Sequence, residues 1–155
     1  MSQKIERREL SFSSLDEAIS DAERLAQSEV RTTGNHSFGQ ILKHLALSLD
    51  MATGEVIAPR LPIGMRMMMP FIKGMILNGP AKPGFKLPKK SESFFWPAEP
   101  IDVQEALTHF KKAVTAYNTK GPLSVHPVFG KATREQNDRL NITHCAMHLS
   151  FVHPV

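Results

Sequence analysis

Two stretches of this chain, far apart in sequence, each carry a polar stripe down the helix face that should be buried. The first runs from Ser37 to about Thr53. Lys43 and Asp50 mark its wet side, and Ser37, Ile41, His44, Leu45 and Ser48 mark the opposite one. The second runs from Thr133 to about Val152. There Arg134, Thr143 and Ser150 fall on the wet side, and Asn137, Asn141, His144 and His148 on the other. Burying polar groups is costly unless they find partners, so the fold must bring these stripes to something that satisfies them. No other feature restricts the chain as much.

Both stretches open with capping boxes, Ser37 with Gln40 and Thr133 with Gln136, and Gly54 stops the first. A third box, Ser14 with Glu17, precedes apolar residues at helical spacing from Leu15 to Ala26, a helix ending near Ser28. Asp102 with Glu105 opens a fourth helix, to about Asn118, with an apolar stripe from Val103 to Tyr117. Gly34-Asn35 marks a turn, and Glu55 to Pro62 reads as a linker. Ile63 to Leu77 reads as one irregular helix, or two short ones about Pro70. Its methionines read as core filler, or else as a pocket wall for an apolar ligand. Gly79 to Pro100 reads as extended loop, with Phe94, Phe95 and Trp96 tucked back onto the helices or lining a pocket mouth. Gly121 to Ala132 is a second loop. Four long helical patterns, no strand and two long crossovers predict an all-α four-helix bundle in a single domain, 1–155.

A lone cysteine, Cys145, excludes an internal disulfide and fits a reducing compartment. The charged N-terminal residues lack the apolar core of a signal peptide, and no apolar run approaches the length of a membrane span. The expectation is a cytoplasmic protein with no membrane partner. The net charge of +4 is unevenly placed. Val56 to Ser91 contains no acid, while Arg60, Arg66, Lys73, Lys82, Lys86, Lys89 and Lys90 are basic. That segment, densest in the loop from Lys82 to Lys90, reads as a solvated face or as an attractor for an anionic substrate or acidic surface. No recognisable nucleic-acid module surrounds it, so no nucleic acid is expected.

The histidines carry the chemistry. A spacing of four puts His144 and His148 one turn apart on one helix face, and His44 supplies a third imidazole. Neutral imidazole suits zinc, and also nickel, iron and copper. Three ligands without an obvious fourth match an open catalytic site better than a closed structural one. Asn141, Ser48 and Ser37 are the nearest polar candidates to fix the ring tautomers. The residues between the paired histidines are Cys145, Ala146 and Met147, so the glutamate of a zincin helix is missing. One such histidine alone would read as a packed core residue; three on inward stripes favour a metal. His126, beside Pro127, reads either as a proton donor or lid over the pocket or as a surface turn residue. His109 falls with Lys112 and Glu105 and reads as a surface histidine. Cys145 reads as a small buried hydrophobe rather than a reactive thiol.

The capped first helix, GNHSFGQILKHLALSLD, HPVFGKAT and THCAMHLSF together resemble the DinB-like (YfiT-like) superfamily of metal-dependent enzymes, in a branch whose function is uncharacterised. The resemblance is strongest over Gly34 to Asp50 and His126 to Phe151, and weakest over Glu55 to Pro100. It implies a four-helix bundle holding a divalent metal, commonly zinc or nickel, on three histidines that here fall at His44, His144 and His148. It also implies a transferase or isomerase using a low-molecular-weight thiol, or a hydrolase by analogy, acting on a small-molecule substrate. No catalytic base or thiol-binding residue carries over. Two functions therefore compete: an enzyme whose metal activates a thiol or water, and a non-catalytic bundle that binds a metal or small ligand. Pairing into a homodimer through exposed helix faces stays open.

Overall fold

In the computed structural model, which describes residues 5–79 and 82–155, the capping signals open helices where the sequence places them. The helices are α1 (Leu15–Ala26), α2 (Phe38–Thr53), α3 (Ile63–Asn78), α4 (Lys89–Phe95), α5 (Val103–Lys120) and α6 (Arg134–Leu149). The capping boxes of α2 and α6 are complete in both directions. That of α1 is half formed: the Ser14 hydroxyl accepts from the Glu17 N–H, but the Glu17 carboxylate reaches back to the Ser13 N–H instead. Gly54 ends α2 in the left-handed region at φ 82°, as a C-terminal glycine should.

The chain is mainly helical. The most extensive interface lies between α2 and α5, with α1 packed on α5 and α6, and α6 on α2. Leu25, Leu42, Leu45, Leu49, Phe110, Val114 and Leu149 are sealed in the resulting core. Gly39 lets α2 approach closely: a Cβ there would stand 1.9 Å from the Ile101 carbonyl oxygen just ahead of α5.

The four short strands among the described residues were not expected. β1 (Val30–Thr32) pairs antiparallel with β4 (Val152–Pro154), and β2 (Val125–His126) with β3 (Gly130–Lys131). The first pair corrects the end of the last helix, which stops at Leu149 rather than near Val152. Arg8 explains the stop. Its guanidinium bonds the Leu149 carbonyl at 3.0 Å and both oxygens of Asp21, at 2.9 and 2.6 Å, while its N–H donates to the Ser150 carbonyl. Burial works to raise the Asp21 carboxyl, but hydrogen bonds from Arg8 and Arg24 outweigh it and hold it below the usual range. With those carbonyls occupied, the chain leaves the helix and pairs with β1. Ser150, expected on the wet side, is buried by this turn.

The divergent middle also departs from expectation. α3 is one helix through Pro70, and α4 forms within the stretch read as extended loop. Met69 is the buried methionine of α3; Met67, Met68 and Met75 face solvent, so core filler is the wrong description of them. The sequence pattern could not orient this helix, because α3 is apolar on nearly every side.

Candidate metal centre

α2 and α6 bring their stripes together. One ring nitrogen from each of His44, His144 and His148 lies within 4.8 Å of the others, in an arrangement able to hold a metal ion. The Nε2 atoms of His44 and His144 are 3.1 Å apart. Two nitrogens bound at about 2.0–2.1 Å to one tetrahedral cation would stand about 3.3 Å apart, so this spacing suits shared coordination. His44 is buried, while His144 and His148 are half-buried.

The orientation of His44 is set from α4. Its Nδ1 lies 3.1 Å from the Phe95 carbonyl oxygen. A carbonyl only accepts, so Nδ1 carries the proton and donates. In the neutral ring Nε2 is then left with its lone pair, aimed at His144. Burial is the first cause that keeps the ring neutral, holding its pKa well below 6.5, and His144 adds to it. Burial likewise pushes His144 down to about 4 and His148 well below 6.5. All three rings are thus in the protonation state a cation needs.

Trp96 caps the cluster. Its ring stacks on His44 with centroids 3.8 Å apart and planes 7° apart, and His36 stacks on its other face at 3.7 Å and 10°. Beyond it opens a cleft of about 380 Å³ lined by His36, Gln40, Lys89, Glu92 and Trp96, among others. Phe95 is buried against the core side, so the aromatic run does tuck back, and it also lines the mouth of a cleft.

None of the three residues expected to orient the rings does so by a direct hydrogen bond. The Ser48 hydroxyl donates to the His44 carbonyl at 2.8 Å, and the Asn141 amide donates to the Asn137 carbonyl at 2.9 Å. Both satisfy their own helices. Ser37 is exposed at its cap. The group that does orient His44, the Phe95 carbonyl, is backbone and leaves no mark in a sequence. The Trp96 stack had a signal, the chain's single tryptophan within an aromatic run, but nothing to say which ring it would meet.

His126 is buried in β2, which overturns its reading as a surface turn residue. Its Nδ1 accepts from the Val128 and Phe129 N–H groups, at 3.0 and 3.1 Å. The proton must therefore sit on Nε2. Burial first, and then the Lys73 ammonium, pushes the ring down to about 4. It lies close enough to His144 to add to the forces keeping that ring neutral. Cys145 is buried, and its thiol is pushed up to about 12, so it is no nucleophile. His109 is not a free surface group: its Nε2 lies 2.6 Å from the Asp50 carboxylate and its Nδ1 3.0 Å from the Lys43 ammonium.

The family model described as protein of unknown function (DUF1569) matches residues 4–155, nearly the whole chain. No curated protein and no solved structure matches it.

Proposed function

The chain belongs to the DUF1569 family, and from that premise we propose that it is a metal-dependent enzyme of the DinB-like kind, with His44, His144 and His148 as ligands of one divalent cation, zinc or nickel. In this reading α1, α2, α5 and α6 are the four helices of the bundle, and α3 and α4 are insertions in its crossover. The observation that carries it is the convergence of three neutral imidazoles from two helices, one of them locked by the Phe95 carbonyl with its Nε2 lone pair turned inward. A hydrogen-bonded core would account for His44 and His144 as a pair. It leaves His148 without a hydrogen-bond partner among the described residues.

A divalent cation held there supplies Lewis acidity, which makes a thiol or a water acidic enough to act as a nucleophile near neutral pH. The protein's own groups do the rest. The Phe95 carbonyl and the Trp96 ring hold His44 in one orientation. In this reading a small substrate approaches past the half-buried His144 and His148, and Lys89, which lines the cleft beyond Trp96, offers a charge that attracts an anionic one. His126, fixed with its proton on Nε2 and neutral at physiological pH, serves as a hydrogen-bond donor to negative charge developing on the substrate. It does not serve as a base through Nδ1, whose lone pair is taken. The reaction class is thiol transfer or hydrolysis. Met67, Met68 and Met75 are exposed to solvent, so the non-catalytic alternative does not rest on an enclosed methionine-lined pocket.

The test is elemental analysis of protein purified without chelator and without a histidine tag. About one equivalent of zinc or nickel is expected in the wild type, and less than a tenth of that in His44→Ala, His144→Ala or His148→Ala. Metal content unchanged in all three variants sinks the reading. Loaded protein is then screened with low-molecular-weight thiols and electrophilic or ester substrates.

A further inference from the structure

α3 turns a greasy face to solvent. Ile63, Met67, Phe71 and Met75 follow one another at spacings of four, with Met68 alongside, so they form a single ridge. Their exposures are 75, 72, 79, 66 and 59% respectively. The opposite side of the helix is used: Met69 is buried, and Met65, Ile72 and Ile76 are half-buried against the protein. Isolated exposed apolar residues are ordinary, but five on one face of one helix are not. Ile57 and Phe85, just outside the helix, are exposed as well.

Charge says what would cover this face. Between Val56 and Ser91 there are seven cations and no acid, so this segment is more positive than the whole chain's net +4 and the remainder is net acidic. Arg60, Arg66, Lys82, Lys86, Lys89 and Lys90 are exposed around α3, in the loop after it and at the start of α4. Lys73 is the exception, donating to the Lys131 carbonyl at 2.8 Å. A second copy laid face to face would bring two acid-free basic segments together. An acidic protein would meet the cations but gain less from a convex methionine and phenylalanine ridge. We propose that α3 is an interfacial helix that docks on an anionic lipid bilayer, its ridge entering the headgroup boundary and the flanking cations meeting lipid phosphates. The expectation of no membrane partner rested on the lack of a spanning segment, and a helix lying in the interface needs none. Among the described residues, no helix is long and apolar enough to cross a bilayer.

The test is sedimentation of the full chain with phosphatidylcholine vesicles, with and without phosphatidylglycerol. Binding is expected to the anionic vesicles, to weaken steeply as salt is raised, and to be at least tenfold weaker on phosphatidylcholine alone. Met67→Ser with Phe71→Ser should abolish it, and Lys82→Gln with Lys86→Gln should weaken it about fivefold per cation removed. These side chains are exposed, so the variants should keep the wild-type circular dichroism and metal content. His144→Ala should bind vesicles as the wild type does, which separates this inference from the metal site. The proposal is overturned by no sedimentation with anionic vesicles at low salt, or by equal binding to both compositions. It is equally overturned if the protein binds polyglutamate but not vesicles, or if it is a dimer that the Met67→Ser, Phe71→Ser variant dissociates.

Discussion

Single side chains at this centre are held by groups on other elements, and their behaviour follows. His126 gives a pH signature. Above pH 6.5, the ordinary imidazole value, folded and unfolded rings are both neutral and add no pH dependence. As pH falls from there toward about 4, the unfolded chain takes up a proton that the buried ring refuses, so stability falls across that window. The slope from this one residue is at most about 1.4 kcal/mol per pH unit. His126→Gln should flatten the acid limb of a urea-unfolding series between those values, and an unchanged slope would mean the ring is not kept neutral. Trp96 gives an optical one. It is the only tryptophan and stacks on His44, so adding nickel to metal-free protein should quench its emission, and His44→Ala should abolish the response. Trp96→Ala should weaken metal binding about 10-fold or more, as loss of a group that orients a ligand does, with Trp96→Phe recovering most of it. Of this centre, the three histidines were legible, because a polar stripe on a helix face can be read from spacing alone. The Phe95 carbonyl was not, since every residue has one. Ser48 and Asn141 misled because serine and asparagine on a helix often bond their own carbonyls, as both do here.

At the scale of elements, the caps were the most readable signals, because an N-cap acts within three residues of chain. Ser37, Thr133, Ser14 and Asp102 each accept the N–H expected of them. Strands of two or three residues are shorter than any alternation pattern and were missed. So was the burial of His126, which depends on the β2–β3 pairing. The close approach of α2 to the start of α5 gives a sharp test. Gly39→Ala would drive a methyl into the Ile101 carbonyl at 1.9 Å, and backbone cannot rotate out of the way as a side chain can. We expect a loss of about 3 kcal/mol or more, read as a fall in the urea midpoint with unchanged m-value. A variant as stable as the wild type would show that the two elements are not seated this closely.

Across the whole molecule, the three histidines tie together segments that lie a hundred residues apart, His44 on α2 and His144 and His148 on α6. Without a cation those rings are neutral, His44 buried and His144 and His148 half-buried, with few hydrogen bonds among the described residues to repay their burial. A cation that binds the folded arrangement and not the unfolded chain must therefore stabilise the fold. With free zinc or nickel at 100 times its dissociation constant the gain is about 2.7 kcal/mol. For a chain of this length that corresponds to a rise of about 5–10 °C in the unfolding midpoint. Calorimetry should show the wild type losing that increment on chelation and regaining it on adding back metal. His148→Ala should show neither change, because removing one ligand removes most of the affinity while leaving the core of α2 and α5 intact. A wild-type midpoint indifferent to both chelator and added metal would mean that the imidazoles converge for packing alone, and the chemistry proposed for them would fall with it.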